Sequence, residues 1–264
     1  MEPIRQRSRR RFLARVAHVA QVGAALGAAG LAGCDRLSQN ETVTSVLASA
    51  EHLDAAVARL VTGRRAMAQE YAESDLSPTF RSNGTANPDN PAYQALAAGG
   101  FAAYALKVDG LVAKPRSFTL ADLHALPSRT QITRHDCVEG WSAVGKWQGA
   151  RLSALLDLVE PAARARYVVF HCADPMNDDG TDPYYESIDM DEARHVQTIL
   201  AYRLDDRPLP IPNGAPIRLR VERQLGYKHA KYVMRIELVE SYADIGGGNG
   251  GYWEDQGYQW YAGI

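Results

Sequence analysis

An α+β fold with mixed sheets is what this sequence predicts. Short alternating or continuous apolar strands are interspersed with amphipathic helical stretches, no regular β-α-β succession runs along the chain, and no internal repeat is visible. In chain order, apolar residues at Val43, Val46, Leu47, Ala50, Leu53, Val57, Leu60 and Val61 have three-and-four spacing, which predicts a helix from Glu41 to about Gly63. Ser77 to Pro91 is rich in Ser, Asn, Gly and Pro and reads as a loop. Tyr104–Val108 alternates, and Asp109-Gly110 ahead of Leu111-Val112 predicts a tight hairpin. Thr119-Leu120-Ala121-Asp122 opens a short helix in the manner of a capping box. Thr130–Arg134 is β-branched and alternating, a strand that runs into a Gly-containing turn. Leu152, Leu155, Leu156 and Val159 mark a second short helix, and Tyr167–Phe170, Ile199–Tyr202, Ile217–Val221 and Tyr232–Leu238 are further strands, the last with Tyr232, Met234, Ile236 and Leu238 on one face. The Gly-rich, then aromatic tail from Gly246 to Ile264 reads as a strap closing over the sheet, with Tyr252, Trp253, Tyr258, Trp260 and Tyr261 available to a pocket rim.

The first 33 residues read as an export signal. Ser8-Arg9-Arg10-Arg11-Phe12-Leu13 is a twin-arginine pattern followed by a Gly/Ala-rich apolar stretch to Leu31. His18, Gln21 and many small residues make that stretch a poor membrane span, which needs roughly 20 strongly apolar residues. Leu31-Ala32-Gly33-Cys34 resembles a bacterial lipoprotein cleavage box, which makes Cys34 the expected lipidation site and places the chain on the extracytoplasmic, periplasmic face of a membrane. The expected organisation is therefore a signal at 1–33, a lipid-anchored segment with the first helix at 34–75, and one domain at 76–264.

Removing 1–33 takes away six arginines against Glu2 alone. The chain goes from 29 basic and 31 acidic residues to 23 and 30, a formal −7. That balance argues against a nucleic-acid partner, which needs a basic face.

Cys137 is the sequence's most informative residue. It stands at a predicted strand end, where a rigid scaffold presents site residues, and a thiolate suits a sulfur-tolerant metal. A buried apolar thiol is the alternative, and a disulfide or thiol redox pair with Cys172 is another. No Cys-x-x-Cys-His arrangement is present, so no covalently attached c-type haem is encoded and electrons must pass through a separate partner.

Cys137-Val138-Glu139-Gly140-Trp141-Ser142 with Trp147-Gln148-Gly149 resembles the molybdopterin-dependent oxidoreductases of the sulfite oxidase family. Asn213–Leu219 and Leu225–Lys231 resemble that family's pterin-phosphate segment, and Phe80-Arg81-Ser82-Asn83-Gly84-Thr85 is a weaker match; together they span about residues 75 to 262. The resemblance implies a sulfite-oxidase-type fold without the C-terminal dimerisation domain, a monomer, and one molybdenum-molybdopterin per chain. Cys137 is then the sole protein ligand to the metal, and Asn83, Cys172, Asn213, Arg218, His229, Ala230 and Lys231 contact the cofactor. It implies two-electron oxygen-atom transfer, with reduction of a sulfoxide such as methionine sulfoxide ahead of sulfite oxidation, and with a membrane haem protein or soluble cytochrome as redox partner.

A cationic pocket for sulfite would draw on Arg81, Arg134 and Arg223. Tyr184 and Tyr185 are candidates for a substrate entrance, and His135 and His171 for the cofactor's surroundings. A cofactor-free binding lipoprotein is the reading from a different class.

Overall fold

The computed structural model describes Gly63 and residues 65–177 and 182–264, all within one compact unit, Ala55–Ile264. The expected signal, Cys34 and the expected helix over 41–62 lie outside the described residues. In chain order the unit contains α1 (Pro91–Ala98), β1 (Ala105–Gly110), β2 (Arg116–Thr119), α2 (Leu120–Ala125), β3 (Ser128–Asp136), β4 (Ser142–Arg151), α3 (Leu152–Val159), β5 (Tyr167–Pro175), β6 (Pro183–Asp189), α4 (Met190–Ala193), β7 (Ile199–Leu204), β8 (Arg207–Pro208), β9 (Arg218–Arg220), β10 (Val233–Val239) and α5 (Tyr252–Asp255). None of the described helices is long and apolar enough to cross a membrane.

Two five-stranded sheets result. The first runs β2-β1-β10-β5-β6 and is mixed, because β1 and β10 are parallel while the other neighbours are antiparallel. The second runs β3-β4-β7-β8, with β9 on β7, and is antiparallel throughout. Side-chain alternation decides what lies between them. Leu106, Val108, Phe118, Val168, Phe170, Ile236 and Leu238 enter the main core with Leu152, Leu155, Leu156 and Val159 of α3. Leu200 of β7 joins that core, whereas its neighbours Ile199 and Ala201 face a second cluster around Trp147 and Phe80. Residues ahead of the expected domain boundary at 76 are already tied to the second sheet: Glu70 bridges Thr133 and Tyr71 N–H donates to the Ile132 carbonyl at 2.9 Å.

The expected capping box is present, with the Thr119 hydroxyl accepting from Asp122 N–H at 3.2 Å and Asp122 Oδ2 accepting from Thr119 N–H at 2.9 Å. Thr119→Ala is expected to cost about 1 kcal/mol, as read from chemical denaturation.

Two expectations need correction. Asp109-Gly110 is not a tight turn, because β1 continues through it to pair with β10 and the return strand is β2 at Arg116 rather than Leu111-Val112. Asp109 is held there by Arg235 at 2.8 Å, and Gly110 has φ 82° and lies so close to Leu238 that a Cβ would sit 2.3 Å from its carbonyl oxygen. The face assigned to β10 also breaks: an irregularity between Val233 and Arg235 puts Val233, Ile236 and Leu238 in the main core, while Tyr232, at φ 53°, packs with Tyr93. The loop from Ser77 ends as expected at Pro91, where α1 begins, Asn90 capping it by accepting from Tyr93 N–H with Pro91 in its first turn.

Candidate active site

The β3–β4 hairpin carries Cys137. Cys137 N–H donates to the Trp141 carbonyl at 2.9 Å and Gly140 N–H to the Cys137 carbonyl at 3.0 Å, closing the turn just beyond the Asp136–Ser142 pair. The thiol is half-buried on the wall of a cleft of about 250 Å³. Burial pushes it above the ordinary thiol range and Glu139 adds to that, while the N–H groups of Glu139 and Val138 and the Arg81 guanidinium pull the other way.

Three segments distant in sequence converge beside it, joined by the Lys231 ammonium. Lys231 Nζ donates to the carbonyls of Asn83 at 2.6 Å, Pro212 at 3.0 Å and Thr85. Its donors are thus taken up by carbonyls, and what it offers an anion is charge. Burial, then the nearby Arg218, lower its pKa to about 7, with Asp174 opposing. Arg218 is fully buried, donating to the carbonyls of Asn213 at 3.1 Å and His229 at 3.2 Å; burial, then Arg220, bring its pKa down to about 9. Both guanidiniums lie over the Trp147 ring, Arg218 Cζ 5.1 Å and Arg220 Cζ 4.4 Å from its centroid.

Gly226 lets the 225–231 segment press against β3, since a Cβ there would lie 2.6 Å from His135 Nε2. Arg220 donates to His135 Nδ1 at 3.0 Å, which assigns the imidazole proton to Nε2. His229 donates from Nε2 to the Gln224 carbonyl at 3.0 Å, leaving Nδ1 as an acceptor, and the two rings are 5.0 Å apart. Burial, then Arg220, hold both imidazoles neutral.

This neighbourhood contains an unusual set of buried polar atoms without hydrogen-bond partners: the acceptors Asn83 Oδ1 and His229 Nδ1, and the donors Asn213 Nδ2, Arg218 Nε and His135 Nε2. Buried polar groups are normally paired, so such a cluster marks a place built for a polar ligand. Among the described residues no three His, Cys, Asp or Glu side chains are grouped to hold a metal on their own.

Asn83, Cys137, His229 and Lys231 line the cleft; Arg218, Asn213 and Ala230 lie behind it, Ala230 contributing its carbonyl as acceptor to Leu219 N–H at 2.8 Å. Cys172 and His171 are not on its wall, although the buried Cys172 thiol lies close enough to Lys231 and Asp174 of the wall to feel their charges. On β5, alternation sends Cys172 with Phe170 into the main core and His171 to the opposite face, where it pairs with Glu237 at 2.9 Å, so the two cannot share a site. Cys137 and Cys172 are both free thiols.

Tyr184 lines the cleft, whereas its neighbour Tyr185 bonds Asp255 at 2.5 Å. Arg134 pairs with Asp136 at 3.0 Å and Arg223 with Glu192 at 2.6 Å, neither on the cleft wall; Arg81 lies over the Trp141 ring at 5.2 Å. Residue-by-residue reading missed Asp174, Met176 and Tyr227. Asp174 is buried on the cleft wall, its pKa raised by burial to about 7, and an acidic residue within an apolar strand run was the available signal. The tail supplies Trp253 and Tyr258 to the rim as well as packing over the sheet.

Residues 95–244 match the model of the oxidoreductase molybdopterin binding domain. A protein of Azospira oryzae provisionally named protein-methionine-sulfoxide reductase subunit YedZ1 is 39% identical over 88% of this chain and 81% of its own length. The protein-methionine-sulfoxide reductase catalytic subunit MsrP of Ralstonia nicotianae is 40% identical over 51% of this chain and 43% of its own. The sulfane dehydrogenase SoxCD of Paracoccus pantotrophus superposes with a TM-score of 0.48 at 23% identity, over 53% of this chain and 39% of that one. The chain belongs to the family of the oxidoreductase molybdopterin binding domain, with the α+β, sulfite-oxidase-type fold, and is an oxidoreductase.

Proposed function

We propose that this chain is a molybdenum enzyme, exported by the twin-arginine route and lipid-anchored through Cys34 at the periplasmic face, that reduces a sulfoxide such as methionine sulfoxide. The carrying observation is the set of unpartnered buried polar atoms beside Cys137, because it mixes donors with acceptors as a pterin ring requires and stands next to two cationic side chains suited to its phosphate. The residues fit the group. Cys137 would be the protein's ligand to molybdenum, Arg218 and Lys231 would neutralise the phosphate, and Asn83, Asn213 and His229, with the backbone at Ala230, would orient the pterin. When bound, that group supplies two-electron redox chemistry and oxygen-atom exchange.

The chain's own residues make the substrate side. Met176, Tyr184, Tyr227, Trp253 and Tyr258 give the cleft a soft, aromatic wall suited to a thioether side chain. Sulfite oxidation would want a cationic pocket, and with Arg134 and Arg223 paired elsewhere the sulfoxide reading is favoured. The name of the Azospira relative points to the same substrate. Electrons would come from a separate carrier, a membrane haem protein or a soluble cytochrome, to a monomeric catalytic chain. Protein purified from its native host after export should contain molybdenum stoichiometric with the chain and turn over methionine sulfoxide faster than sulfite. Metal-free protein from cells that load their other molybdoenzymes would overturn the proposal.

Lys231 makes cofactor binding pH-dependent. Burial and Arg218 lower its pKa to about 7, and a bound anion would raise it, so binding takes up a proton. Affinity for the cofactor should therefore fall as pH rises above about 7, by up to about tenfold per pH unit, and level off below. Ionisation of Asp174 over the same range acts in the same direction. Titrating apoprotein with isolated cofactor across this range measures the slope.

A further inference from the structure

Next to the cleft, three charged side chains meet out of contact with water. Lys228 Nζ donates to Glu186 Oε1 at 2.5 Å and to Glu254 Oε1 at 2.6 Å, and all three side chains are at most 1% exposed. They come from different places: Glu186 from β6, Lys228 from the 225–231 segment and Glu254 from α5 of the tail. With every group ionised, two carboxylates against one ammonium leave a buried net charge of −1. Such a charge is strongly disfavoured in a dry site, and one bound proton removes it.

The hydrogen bonds agree with a proton held there. Glu186 Oε1 also accepts from Ser187 N–H at 2.7 Å, while Glu254 Oε2 is buried with no partner. Burial, then the neighbouring Glu254, push the Glu186 carboxyl well above the usual range, and the two carboxylates keep Lys228 charged in spite of its burial. The Trp260 ring, its centroid 5.3 Å from Lys228 Nζ, faces the ammonium. Tyr184 connects this cluster to the cleft. Its ring lines the cleft wall, its hydroxyl donates to the Tyr227 carbonyl, and the same oxygen lies 3.5 Å from Glu186 Oε2. The charged groups on its cleft side are Glu139, Asp174 and Lys231, the titratable Cys137 and His229 share that wall, and the buried Cys172 thiol also faces Tyr184.

We infer that the Glu186–Lys228–Glu254 cluster stores one proton and delivers it to the cleft through the Tyr184 hydroxyl. The inference rests on the oxygen-atom-transfer reading above. Reducing a sulfoxide breaks its S–O bond: the sulfoxide, two electrons and two protons give one thioether and one water, the electrons coming from the external one-electron carrier by way of the redox group. One proton leaves the Glu186 carboxyl for the Tyr184 oxygen as the Tyr184 hydroxyl turns away from the Tyr227 carbonyl and gives its own proton to the departing oxygen. The second enters from solvent through the cleft mouth, and the cluster then refills from solvent.

Infrared difference spectra of the holoenzyme in light and heavy water test the store. The C=O band of a buried protonated carboxyl, shifted by heavy water, should be present in wild type at neutral pH, persist in Asp174→Asn and vanish in Glu254→Gln. Its absence from wild type overturns the store without reference to any variant. Delivery is tested by Tyr184→Phe and Glu254→Gln, each expected to lower kcat for sulfoxide about 100-fold with KM little changed and an altered pH profile. Variants equal to wild type in kcat at every pH overturn delivery. A band that behaves as expected in an enzyme inert toward sulfoxides would sink the substrate reading and leave the store standing; turnover without the band would do the reverse.

Discussion

Cys137→Ser protein should emerge from the same purification without bound molybdenum and with turnover lowered by more than about 100-fold, the upper end of what losing an outer-shell partner alone costs a metal site. The expectation follows from the ligand chemistry. Among the described residues no protein cluster stands ready to replace the thiolate, and serine, whose oxygen is hard and far less acidic, is a poor substitute for a sulfur donor. The fold has no comparable stake in the sulfur. The hairpin is closed by the backbone groups of residue 137, which serine keeps, and the side chain is only half-buried, so unfolding should move by no more than about 0.5 kcal/mol. Metal analysis beside denaturant unfolding separates the two effects. Retained metal and activity in the variant would remove Cys137 from the site and return the molecule to a binding or thiol-based role.

Arg218→Met should separate stability from cofactor retention in the opposite sense from an ordinary core substitution. Arg218 is fully buried, and among the described residues no carboxylate pairs with it; Glu222 is engaged by Arg220 at 2.5 Å. Replacing an uncompensated buried charge by an apolar side chain is often neutral or stabilising by about 1–4 kcal/mol, set against about 1–3 kcal/mol for carbonyls of Asn213 and His229 that lose their donor. The apoprotein should therefore unfold within about 2 kcal/mol of wild type. Loss of a charge-assisted contact to a buried phosphate costs about 1.5–3 kcal/mol, which weakens cofactor binding roughly 10- to 150-fold. Apo unfolding curves and cofactor titration read the two quantities on one sample. An apoprotein that collapses outright would assign Arg218 to structure alone.

What could be seen in the chain before folding depended on how local the physics was. The Thr119 capping box, the α3 stripe of leucines and the strand running into the Cys137 turn are set by contacts within a few residues, and each stands where expected. Asp109-Gly110 and Tyr232–Leu238 misled because the parallel pairing of β1 with β10 and the irregularity in β10 override local turn preference and simple alternation. His171 and Cys172 looked like equal candidates, yet only pairing of β5 with β10 and β6 decides which face becomes core.

By itself, then, the sequence determined the α+β class, the cysteine at a hairpin end and the order of the segments that resemble a pterin site. Only tertiary structure drew those segments onto one Lys231 ammonium, paired Arg223 with Glu192 away from the cleft, placed Asp174 on its wall and closed Lys228 between Glu186 and Glu254. The reason is distance along the chain. Lys231 meets a carbonyl 148 residues away and Lys228 a carboxylate 42 residues away, and whether such groups remain solvated charges or become a buried site is fixed by the packing that removes their water.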